Sequence, residues 1–63
     1  MTPRTPQGWL ARATAEGMRA RGAIQAAQFE WRDAYAAHYV LAAYVHARMA
    51  ARAAARALKG GKR

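Results

Sequence analysis

Alanine supplies 19 of the 34 hydrophobic residues in this 63-residue chain. Only 15 larger apolar side chains are left to build an interior, Met1 included. Alanine is the best helix former because it fixes no side-chain rotamers and hides no polar group. A chain of this length buries only about 60% of the surface its unfolded form exposes. The expectation is an all-α unit, completed by oligomerisation or by docking on a partner. GC-rich coding also inflates Ala and Arg, so placement carries more weight than abundance.

Thr5-Pro6 reads as a helix entry: the threonine oxygen caps an orphan N–H, and proline fits the first helical position. Residues 1–5 are expected as an extended arm and a short helix over about 6–16. Gly17 and Gly22 then bracket Met18–Arg21. Each glycine costs about 1 kcal/mol against alanine inside a helix. Two readings follow, a turn over 17–22 or one helix passing through both glycines, and the bend is preferred. From Ala23 to Leu58 there is no Pro, no Gly and no turn cluster, which predicts one long helix over about 23–58. Gly60-Gly61 stop it, and 59–63 form a basic tail. The whole chain reads as one small helical hairpin unit, with Trp9 and Leu10 docked against the start of the long helix. Met18 and Met49 read as gap-fillers.

At a period of 3.6, Ile24, Trp31, Tyr35, Tyr39, Val45, His46 and Met49 share one face of that long helix, with His38 at its edge. Ile24, Trp31, Tyr35, Tyr39, Val45 and Met49 are therefore the expected protein interface. Residues 39–45 are apolar almost all round, and such a segment expects contacts on more than one side. Alanines recur through 34–57. They reflect either codon bias with helix propensity, or a close helix–helix or helix–surface contact.

The chain carries 11 Lys and Arg against 3 Asp and Glu, a net charge of +8. Arg48, Arg52 and Arg56 follow each other at i, i+4 and i+8, and Lys59 continues the ridge. Like charges at that spacing repel, so stacked arginines without acids point to an external anion. Phosphate suits the fixed donor fork of arginine. Arg48, Arg52, Arg56, Lys59, Lys62 and Arg63 are the expected nucleic-acid contacts. Glu16 is within helical reach of Arg12 and Arg19.

The excluded classes are broad. With no Cys and no Ser, thiol and serine nucleophiles are missing, and so are disulfides and thiolate metal sites. The acids are Glu16, Glu30 and Asp33 alone, and His38 and His46 are eight apart, too far for a helical zinc pair. No enzyme, metal or cofactor is expected. No span approaches the roughly 20 apolar residues of a membrane helix, and the near all-round apolar centre and His38 in the stripe argue against a peripheral lipid-binding helix, so a membrane role is not expected. Helix-turn-helix, leucine-zipper, zinc-finger and ribonucleoprotein motifs are absent, so binding would follow shape and charge without a base code. The look of the chain, small, basic and rich in Ala and Arg, is a compositional likeness to accessory proteins of ribosomes, nucleoids and phages.

The leading expectation is a non-enzymatic basic helical accessory protein within a larger nucleoprotein assembly, a ribonucleoprotein particle, nucleoid or virion. It would sit in a bacterial cytoplasm or inside a viral particle. The alternative is a small helical regulator or inhibitor that binds an acidic protein, with a second copy of itself as a further partner.

Overall fold

A computed structural model describes residues 3–61. Two helices, α1 (Pro6–Phe29) and α2 (Asp33–Gly61), lie against each other as an antiparallel hairpin. The rod measures 48 × 18 × 12 Å. The all-α expectation holds, and the start of α1 falls where Thr5-Pro6 places it. The Thr5 hydroxyl accepts a hydrogen bond from the Gly8 backbone N–H at 3.0 Å.

The division of the chain differs from the sequence reading. The expected short helix over 6–16 and bend over 17–22 do not form; α1 runs straight through both glycines to Phe29. No glycine among the described residues has a positive φ, so neither Gly17 nor Gly22 makes the left-handed turn that a glycine stop supplies. The expected helix over 23–58 is split by a tight connection at Glu30–Arg32. Lys59, Gly60 and Gly61 continue α2 instead of starting a tail. Residues 1–2 of the arm, and Lys62 and Arg63, lie outside the described residues.

The connection is built without Gly, Pro or Asn. The Glu30 carboxylate accepts from the Arg32 backbone N–H at 3.0 Å, from Arg32 Nε at 2.9 Å and from Arg32 Nη2 at 3.0 Å. The Arg32 carbonyl then accepts the Ala36 N–H at 2.9 Å, the first bond of the next helix. Asp33 places a negative charge in the first turn of α2, where the macrodipole favours it. The Arg32 guanidinium lies 4.0 Å from the Tyr35 ring centroid and 5.6 Å from that of Trp31. A bidentate arginine–carboxylate clamp thus does the work of a turn residue.

The packed seam explains why the glycines did not break α1. On α1 it follows Trp9, Ala13, Glu16, Ala20, Ala23 and Ala27, steps of four and three. On α2 it follows Ala36, Ala43, His46, Ala50, Ala53 and Ala57. This is the heptad spacing of coiled-coil helices. The buried residues among those described are Ala20, Ala43, Ala53 and Glu16. Of the two readings of the alanines, the close helix–helix contact is the one realised. At the open end the approach is tight enough that a Cβ on Gly60 would lie 3.1 Å from Pro6 Cγ.

An alanine seam leaves every large apolar side chain among the described residues outside except Trp9, which is half-buried. Phe29 and Trp31, at the turn, are 86% and 84% exposed, and Leu10, Leu41, Tyr44 and Leu58 are also exposed. Met18 is exposed and Met49 stands at the rim of a cleft, so neither fills an interior gap. Among the described residues, no helix is long and apolar enough to cross a membrane.

Candidate functional site

Closing the hairpin at Trp31 sets which residues meet. Position 16 lies opposite 46, and position 9 opposite 53 and 56. Trp9 therefore packs near the end of α2, not its start, in a cleft lined by Arg12, Met49, Arg52, Ala53 and Arg56. The Arg56 guanidinium sits 4.9 Å from the Trp9 ring centroid. Leu10, one residue on, faces the opposite flank beside Ala54, Ala57 and Leu58.

The predicted ridge survives. Arg52, Arg56 and Lys59 line one depression, and Arg48 and Arg52 line the next along α2. The Arg48 guanidinium lies 5.8 Å from the Tyr44 ring centroid. The structure adds Arg12 and Trp9, which came from the other helix and were missed. Their signal is the seam register, unreadable while the turn was placed at 17–22.

The predicted aromatic face does not survive as one surface. Ile24 belongs to α1 and Trp31 to the connection. Tyr35, Tyr39, Val45 and Met49 remain on α2, each exposed. His38 is also exposed.

Charge is segregated across the rod. The ion pairs within 4 Å among the described residues are Arg19–Glu16 at 3.1 Å, Arg32–Glu30 at 2.9 Å and His46–Glu16 at 2.7 Å. They engage neither Arg12 nor the α2 ridge. Heptad spacing puts Arg12, Arg19, Arg52, Arg56 and Lys59 on one flank of the hairpin. The other flank presents Leu10, Gly17 and Ile24 from α1 beside Val40, Ala47 and Ala54 from α2.

Glu16 is the one buried ionisable group among the described residues, and its partner across the seam is His46. His46 Nδ1–H donates to Glu16 Oε1 at 2.7 Å, since a carboxylate can only accept. That bond, reinforced by Arg19, holds the Glu16 carboxyl below its ordinary value, against desolvation. Arg12, the other expected partner of Glu16, forms no ion pair with it. At the turn, the Arg32 clamp pulls the Glu30 carboxyl down to about 2. No group of three or more His, Cys, Asp and Glu side chains converges to hold a metal among the described residues.

No family model matches the chain, and neither the curated proteins nor the solved structures supply a match.

Proposed function

We propose that this hairpin is a non-enzymatic accessory component of a nucleoprotein assembly, bacterial or viral, and that it contacts nucleic-acid phosphates through its basic flank. One observation carries the reading. Arg12, Arg48, Arg52, Arg56 and Lys59 gather toward the open end of the rod, while Glu16 is spent in the seam and Glu30 in the turn. Cations without acidic neighbours repel one another, and a row of phosphates relieves that repulsion. Two of the guanidiniums rest on aromatic rings, which limits the freedom lost on binding. Lys62 and Arg63 extend the same charge along the sequence. The exposed apolar residues at the turn, Phe29 and Trp31, suit the host particle's protein surface.

The test is a salt titration on duplex DNA and on single-stranded RNA. Five phosphate contacts predict a slope of log K against log salt of about −4.5 on duplex. The variant Arg12→Gln/Arg52→Gln/Arg56→Gln should flatten it to roughly −2. A salt-independent affinity overturns the proposal.

The Trp9–Arg56 and Tyr44–Arg48 pairs favour a second reading, since Trp, Tyr and Arg dominate protein–protein hot spots. On that reading the chain regulates or inhibits an acidic protein. The same triple variant would then abolish protein pull-down while nuclease treatment leaves the native complex intact.

A further inference from the structure

The flank opposite the cations carries no formal charge along its central strip. Leu10, Gly17 and Ile24 succeed one another at seven-residue intervals on α1, and Val40, Ala47 and Ala54 do so on α2. Leu10, Ile24 and Val40 are 57%, 50% and 56% exposed. Tyr44 and Leu58 border the strip on α2 and are equally open, and Arg21 borders it at the same offset on α1. For a chain of net charge +8 this is an unusual allotment: one flank collects most of the cations, and the other carries uncovered apolar surface with Arg21 alone at its edge among the described residues.

Gly17 adds to this by its place on the strip; Gly22, on the other side of α1, is just as open within the hairpin. A glycine inside a helix costs about 1 kcal/mol against alanine. Within the hairpin nothing requires it: a Cβ at Gly17 would meet no atom within 4 Å, and its φ is ordinary. Gly60, by contrast, is bare because Pro6 crowds it. Gly17 sits midway along the uncovered strip, where a body outside the hairpin would approach closely.

We infer that this flank is where a second copy of the chain packs, giving a four-helix bundle with the two hairpins antiparallel. The spacing is self-complementary about a two-fold axis at Gly17 and Ala47. Leu10 and Ile24 stand seven residues either side of Gly17, so each meets the other in the second copy. Val40 and Ala54 stand seven either side of Ala47, so a larger side chain meets a small one. A two-fold interface requires this kind of self-matching patch. The strip from Leu10 to Ile24 is about 21 Å long at 1.5 Å per residue; a pairing that runs the whole 48 × 18 Å face is what reaches the roughly 800 Å² each partner contributes to a standard interface. Charge selects the orientation. The antiparallel arrangement sends the two open ends, with Arg48, Arg52, Arg56 and Lys59, to opposite ends of the bundle. A parallel one would bring them together. The basic flanks stay outward, and the inference does not depend on what they bind.

Sedimentation equilibrium of the full chain, without nucleic acid, tests it first: the expected mass is twice the 6.9 kDa of one chain. The chain has no native cysteine, so a thiol probe reports one position at a time. Gly17→Cys should form a disulfide-linked dimer under mild oxidation, because the axis brings the two Cα atoms within bonding range. Gly22→Cys, equally open in the hairpin but on the basic side, should stay reduced at the same concentration. Both substitutions leave the hairpin free of clashes, so folding does not confound the comparison. A monomeric mass overturns the inference, and so does equal or faster cross-linking at position 22.

Discussion

His46 Nδ1 and Glu16 Oε1 lie 2.7 Å apart across the helix seam, although 30 residues separate them in the chain. The Glu16 side chain is only 5% exposed, so its charge depends on that bond and on Arg19. Removing one partner of a buried polar pair costs more than forming the pair gains. His46→Ala should lower the thermal midpoint by roughly 5–10 °C in a chain of this size. His46→Gln, which keeps a donor, should recover part of the loss. The measurement is far-UV circular dichroism at fixed protein concentration; an unchanged His46→Ala midpoint would show that the pair contributes nothing to the fold.

The same carboxyl sets a pH dependence. Glu16 titrates below its ordinary 4.5 in the folded hairpin because of the His46 hydrogen bond, and Glu30 titrates at about 2 because of Arg32. At both groups the unfolded chain takes up protons first as pH falls. Their stabilisation is therefore complete above the ordinary value and lost on acidification through the folded one. The thermal midpoint should decline between pH 4.5 and about 2. Glu16→Gln should shrink the decline, leaving the share due to Glu30. A midpoint that rises on acidification through this window contradicts the assignment.

Packing of the alanine seam gives a sharper contrast. Ala53 is 3% exposed between the helices, whereas Ala55, two residues on, points outward. A leucine at 53 must push α1 and α2 apart, and overpacking of this kind costs about 1–3 kcal/mol. A leucine at 55 should change stability by no more than about 0.5 kcal/mol. Urea denaturation of Ala53→Leu and Ala55→Leu measures both. Equal effects would mean that the seam does not follow these residues.

The helical class, the entry at Thr5-Pro6 and the arginine ridge were legible because each is written in adjacent residues. The hairpin register was not. Its turn uses Glu30 and Arg32 as a clamp, and a Glu-x-Arg triplet also occurs inside helices, so the sequence offers no turn residue to notice. Two glycines nearby supplied the stronger local signal and pointed to the wrong place. Everything that depends on register then followed: Trp9 beside Arg56, Arg12 beside the ridge, and Glu16 beside His46. The alanines told of close packing, but only the turn decides which alanines meet.

Gly22 offers the direct test of where the chain turns. In the continuous α1 it is an exposed helical residue with an ordinary φ, and an added Cβ meets nothing within 4 Å. Gly22→Ala should then stabilise the hairpin by about 0.5–1 kcal/mol, the difference in backbone freedom that glycine loses on folding. Were residues 17–22 a turn with a left-handed glycine, the same substitution would strain the backbone and destabilise by at least as much. Urea midpoints at one protein concentration separate the two outcomes by sign alone. The position lies off the uncharged flank, so the gain should be independent of concentration. A loss of stability would return the turn to 17–22 and undo the register on which the Glu16–His46 and Trp9–Arg56 contacts depend.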